Sequence, residues 1–195
     1  MVVRTLDAKR DPFSPKKDED EILEPEVPYL SAIGALLYLA QCTRPDISFV
    51  VNLLARYSNA PIRKHWNGVK DIFRYLKGTT DLGLFYTYES SRVAAPLIHE
   101  LIPALFSDPY RARSQTGYVF TVEDTAISWR STKQMLVATS SNHVEIVALH
   151  EASHECFWLR AVMEHIQSTS GLTSIAGLPT MIFEDNVACI EQLKK

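Results

Sequence analysis

The chain has 195 residues, 46% hydrophobic and 22% charged, with a formal net charge of -3 at pH 7. That length and apolar content support one or two domains with real cores, and the slight acidic excess means that any case for nucleic acid must come from local patches. Its 3 cysteines, Cys42, Cys156 and Cys189, show no metal-type pairing and no run approaches a membrane span or a signal core, so a cytoplasmic or nuclear chain with reduced thiols is expected.

In chain order, residues 1–27 read as an acidic tail or linker whose centre is KKDEDEILEPE. From Thr43 to Lys77 the balance reverses, with Arg44, Arg56, Arg63, Lys64, Lys70, Arg74 and Lys77 against Asp46 and Asp71. Helices are predicted over about 29–41, 45–57 and 61–76, with prolines opening the second and third. In the third, Ile62, Trp66, Val69, Phe73 and Leu76 recur at helical spacing, while Arg63, Lys70, Arg74 and Lys77 share an adjacent stripe. One face can pack while its neighbour meets phosphate; the competing reading is a solvated surface.

DLGLFYTY then reads as a strand, and the polar YESSRVAAP after it as a boundary. TGYVFTVEDTAISWRS reads as two strands around a Glu123-Asp124 turn. Next comes a long amphipathic helix whose stripe is Leu149, Ala152, Cys156, Leu159 and Met163, with Glu145 at its start. A carboxylate facing a core is unfavourable unless a cation meets it, which points to a metal or a basic partner there; an exposed acid favoured by the helix dipole is the alternative. TMIFEDN reads as a short buried strand of Met181, Ile182 and Phe183 ending in Glu184 and Asp185. Strand ends present chemistry in α/β folds, but Asp185 is equally well placed to cap the helix that follows.

His150-Glu151-Ala152-Ser153-His154 spells H-E-x-x-H on the long helix, a spacing that puts two imidazoles on one face. Phe157 and Arg160 occupy the positions where an extended zinc motif would continue, so neither a peptidase nor tight zinc binding is expected.

The phrases RSQTGYVF, AISWRSTKQ, ATSSNHVEIVALHEASHECFWLR and EDNVACIEQLK resemble the RNase H region of copia-type retrotransposon Pol polyproteins. VPYLSAIGALLYLAQCTRPDISFVVNLLARYSNAP and KHWNGVKDIFRYLKGTTDLGLFY resemble the segment that follows the reverse transcriptase palm. The resemblance covers nearly the whole chain, with a break around residues 90–106. It implies an α/β chain: a helical thumb or connection segment over 28–87, followed by a truncated RNase H-like mixed-sheet domain over 98–195. It further implies Mg2+ at Glu145 and Asp185, which match two acids of that family's metal site. The implied partner is an RNA/DNA hybrid or other duplex, met by Arg63, Lys64, Lys70, Arg74 and Lys77.

Several features depart from the family pattern. The chain contains no Asp-Asp pair, so no polymerase site is expected. Ile102 stands where the family's first RNase H strand carries an aspartate, and Asp108, in Ser107-Asp108-Pro109, matches a later, non-catalytic position. The sequence stops at Lys195, ahead of the family's last helix and final metal-site segment. A catalytically dead copy with at most weak nucleic-acid binding is therefore expected. The alternatives are an active ribonuclease H in which Glu100 or Asp108 replaces the missing aspartate, and a non-catalytic interaction module.

Overall fold

The computed structural model describes residues 13–86, 98–101, 104–108, 113–122, 125–137, 140–171, 179–184 and 186–194. Three helices lead: α1 (Tyr29–Cys42), α2 (Ser48–Ala55), entered through a 3-10 turn at Pro45–Ile47, and α3 (Arg63–Gly78). Tyr29, Ile33, Leu36 and Ala40 recur at steps of four and three along α1, and they bury against Val51 and Leu54 of α2 and Val69 and Ile72 of α3. A fully buried leucine such as Leu36 contributes about 1.5–3 kcal/mol. The Tyr29 hydroxyl donates to the Leu54 carbonyl at 2.9 Å, so its one polar atom is matched inside this core.

The buried face of α3 differs from the predicted one. Val69 and Ile62 are buried as expected, but Phe73 is 41% exposed and His65, Gly68 and Ile72 take the inner positions. The reason is a hydrogen-bonded histidine that hydrophobicity counting passes over. His65 Nδ1 accepts the Ile62 amide at 3.2 Å, closing the first turn of α3, and Nε2 donates to the Ser14 carbonyl at 3.0 Å. These bonds fix one neutral tautomer, and the ring stacks on Tyr57 with centroids 4.0 Å apart. Residues 13–27, expected as a tail or linker, lie along this cluster: Phe13 and Leu23 pack on it, and the Leu23 amide donates to the Pro61 carbonyl at 2.9 Å.

The second half is a mixed five-stranded sheet with helices, so the chain is α/β. Strand β3 (Arg113–Val122) pairs antiparallel with β4 (Thr125–Lys133) on one side. On its other side it pairs with β1 (Ile98–Leu101) and then β2 (Ala104–Asp108), both antiparallel. Strand β5 (Met181–Phe183) adds to β1 in parallel. The pairing of β3 with β4 follows the two strands read from the sequence, whereas the strand expected at DLGLFYTY is not formed over residues 81–86. That segment is held instead at the start of β4, where Tyr86 donates to the Ala126 carbonyl at 3.1 Å and Thr125 to the Phe85 carbonyl at 2.7 Å.

Helix α4 (Ser141–Ser170) starts at Ser140, whose hydroxyl accepts the His143 amide, and stops at Gly171, whose φ of 66° is left-handed. Val144, Ala148, Ala152 and Leu159 are buried, with Leu149, Cys156 and Met163 partly so, and this stripe covers Tyr118 and Phe120 of β3. The opposite face of the hairpin meets the first two helices. Trp129 reaches the Ala40 carbonyl, Arg56 donates to Gln115, and Gln115 donates to Ser131 at 2.8 Å. Helix α5 (Val187–Leu193) closes the chain beside α4. Strand β5 departs from its predicted burial: Met181, Ile182 and Phe183 are about half exposed, because β5 pairs only with β1 among the described residues.

Candidate functional site

Glu145 sits in the second turn of α4, half-buried between Val144 and Ala148. Facing it is the first turn of α5, capped by Asn186, whose side-chain oxygen accepts the Cys189 amide at 3.1 Å. Asn186 is itself positioned by Glu184, which accepts its amide through Oε1 at 2.9 Å. The other carboxylate oxygen, Oε2, is buried and has no hydrogen-bond partner among the described residues. Burial pushes the Cys189 thiol above its ordinary range, and the charges of Glu184 and then Glu145 push it further. The charges of both carboxylates therefore act on one buried thiol at the α4–α5 junction. A neighbouring tie, Asn142 Nδ2 to Gln192 Oε1 at 2.8 Å, holds the two helices together there.

Asp185, predicted to share a metal site with Glu145, lies outside the described residues, as does Ile102. Among the described residues, Glu184 is the second acid, with Glu145, whose charge acts on Cys189. Its sequence signal was present in the pair of acids ending the β5 strand. Glu100 and Asp108, the two substitutes for the missing aspartate, separate in the backbone register. Glu100 pairs with Val119 and with Phe183, immediately before Glu184, whereas Asp108 pairs with Arg113. Those two partners on β3 are about 20 Å apart along an extended strand.

Two-ion hydrolysis needs several carboxylates around both ions. Among the described residues no group of three or more His, Cys, Asp or Glu side chains could hold a metal ion.

The basic residues form a second feature. Arg63, Lys64, Arg74 and Lys77 are exposed on α3 and Lys70 is half-buried; Arg63, Lys70, Arg74 and Lys77 lie on the side away from Val69 and Ile72. Arg74 is paired with Asp71 at 2.5 Å on the exposed surface. Arg44, by contrast, is structural: it is buried, donates twice to Asp46 through Nε and once through Nη2, and bonds the backbone and side chain of Thr79. The Arg44 hydrogen bond in turn holds the Asp46 carboxyl below its ordinary range. His150 and His154 are both exposed on the outer face of α4.

The chain is 37% identical over 142 residues to a retrovirus-related Pol polyprotein from transposon TNT 1-94 of Nicotiana tabacum, covering 72% of this chain and 10% of that protein. It is 33% identical over 159 residues to a retrovirus-related Pol polyprotein from transposon RE2 of Arabidopsis thaliana, again 10% of that protein. A third relative, secreted RxLR effector protein 161 of Plasmopara viticola, is 40% identical over 133 residues, which are 68% of this chain and 92% of that protein. The chain belongs to the copia-type retrotransposon Pol family. As a Pol segment it spans about a tenth of the length of the polyproteins it matches. No family model matches it, and no solved structure does. Among the described residues of this Pol segment, no helix is long and apolar enough to cross a membrane.

Proposed function

We propose that this Pol segment is a duplex-binding connection module joined to an RNase H-like domain that does not cleave. The observation that carries the reading is the exposed basic face of α3, where Arg63, Lys70, Arg74 and Lys77 share one side of a helix whose other side is fixed in a core. Phosphate contacts from such a face bind any duplex and read no sequence. The RNase H-like part is supported by the strand arrangement, an antiparallel β4–β3–β1 set extended by a parallel β5, with a long helix across one face. The lack of cleavage is supported by the described residues, among which no group of three or more His, Cys, Asp or Glu could hold the ions that such hydrolysis uses.

Binding of labelled RNA/DNA hybrid and of double-stranded DNA, followed by fluorescence anisotropy over a range of salt, tests this. Four cations on phosphate give a slope of log affinity against log salt of about -3 to -4. Arg74 works against its pairing with Asp71, so the shallower end is expected. Replacing Arg63, Lys70, Arg74 and Lys77 with alanine is expected to abolish the salt dependence. Affinity that survives the four substitutions, or that ignores salt, overturns the reading and favours an interaction module that does not use nucleic acid.

A further inference from the structure

The geometry points to an open, two-imidazole chelate on α4 at His150 and His154, able to take one divalent first-row transition ion of the nickel or copper class. Residues four apart on a helix stand one above the other, and both imidazoles are exposed. Their ring centroids are 4.7 Å apart and the ring planes meet at 87°. An imidazole nitrogen binds such an ion at about 2.0–2.1 Å, which puts each ring centre ~3.2 Å from it and, for bonds at a right angle, the two centres ~4.5 Å apart. The observed separation is thus already close to that of two neighbouring corners of a square or octahedral ion, the geometry that nickel and copper favour with nitrogen donors. Rotation about the side-chain torsions of two exposed residues one helical turn apart would aim both lone pairs at one ion.

Nothing among the described residues supplies a third side chain. Water therefore fills the remaining positions, which makes the site exchangeable and distinguishes it from the closed ligand set of a structural zinc or the three-ligand set of a zinc peptidase. The site is also separate from Glu145 and Glu184: those acids meet α5 at the inner end of α4, whereas the histidine pair lies on the outward face. Trp158, one turn beyond His154 and 59% exposed, lies close enough to report the ion through its fluorescence.

Ni2+ is the probe of choice, because Cu2+ would be reduced by the exposed thiol of Cys42. The full chain is titrated with Ni2+ by calorimetry in a non-coordinating buffer, with tryptophan emission recorded in parallel. One site per chain and a partial quench that disappears in Trp158→Phe are expected. His150→Ala and His154→Ala each remove the chelate and should lower affinity by ~10²-fold. His165→Ala, an exposed histidine farther along the same helix, should leave it unchanged. Because all three side chains are exposed, helix content by circular dichroism is expected to match the parent. Absence of Ni2+ binding, equal affinity in all the histidine variants, or an equal loss in His165→Ala overturns the assignment.

Discussion

The indole nitrogen of Trp129 donates to the main-chain carbonyl of Ala40 at 2.6 Å, tying the middle of β4 to the last turn of α1. The carbonyls of a helix's last turn have no partner within the helix. Ala40 is fully buried, and its oxygen is matched by Trp129 and by the Ser48 hydroxyl at 3.1 Å. Trp129→Phe leaves Ser48 in place, so it should lower stability by only about 0.5–1.5 kcal/mol. Adding Ser48→Ala orphans a buried acceptor, and the pair should lose about 1–3 kcal/mol more, beyond the sum of the single changes. Urea unfolding of the four chains checks this; strict additivity would mean that Ala40 finds another partner.

Two helical glycines should respond to alanine with opposite signs. An added Cβ at Gly34, on the exposed side of α1, meets nothing within 4 Å. Gly34→Ala is expected to stabilise by about 0.5–1 kcal/mol through restricted freedom of the unfolded chain and better helix propensity. At Gly68 the same atom would sit 2.6 Å from Phe13 Cε1 and 3.2 Å from Leu54 Cδ2. Phe13 must leave its place on the core, and the overpacking, about 1–3 kcal/mol, outweighs the propensity gain. Thermal midpoints moving the same way in both variants would contradict this packing.

Helix positions were legible where apolar residues recur with the turn, as Tyr29, Ile33, Leu36 and Ala40 do in α1 and Ala148, Ala152 and Leu159 do in α4. The α3 face was misread because His65 is buried through two directional bonds, and its partner Ser14 is remote in sequence. Met181, Ile182 and Phe183 read as buried because three apolar residues in a row ordinarily mark a covered strand; edge position depends on pairing, which a local pattern does not encode. At the candidate site, Glu145 stood out by its place at the head of an apolar stripe. Glu184 did not, since the action of its charge together with that of Glu145 on Cys189 depends on how α5 returns to α4.

Alkali should destabilise the chain through groups that burial keeps protonated. Burial, reinforced by the charge of Tyr57, raises the Tyr29 phenol far above its ordinary 10.0, and burial raises Tyr118 in the same direction. Cys189 is raised from an ordinary 9.0. Above those ordinary values the unfolded chain releases protons that the folded chain retains, so the unfolded state binds fewer and stability falls as pH rises. Urea midpoints should hold steady up to about pH 9 and then decline. Tyr29→Phe loses the bond to Leu54 and begins lower, but its decline above pH 10 should be shallower. An equally steep decline would remove Tyr29 from the account.

Purified chain is expected to leave an RNA/DNA hybrid intact in Mg2+ or Mn2+. Cleavage of this type uses two ions about 4 Å apart, one at the attacking and one at the leaving oxygen, and the carboxylates must neutralise and orient both. The charges of Glu145 and Glu184 both act on Cys189, and no group of three or more His, Cys, Asp or Glu that could hold a metal ion is found among the described residues. Asp108 pairs with Arg113, well along β3 from the β5 end, so of the two acids offered as substitutes only Glu100 lies on a backbone adjacent to Glu184. Gel analysis of a labelled hybrid, with Glu145→Gln, Glu100→Gln and Asp108→Asn run beside the parent, separates the cases. Metal-dependent cutting lost in both Glu145→Gln and Glu100→Gln but kept in Asp108→Asn would show a centre rebuilt through β1. Cutting unaffected by any of the three would point to a contaminating nuclease, and the absence of cutting in all four is the outcome this arrangement of acids predicts.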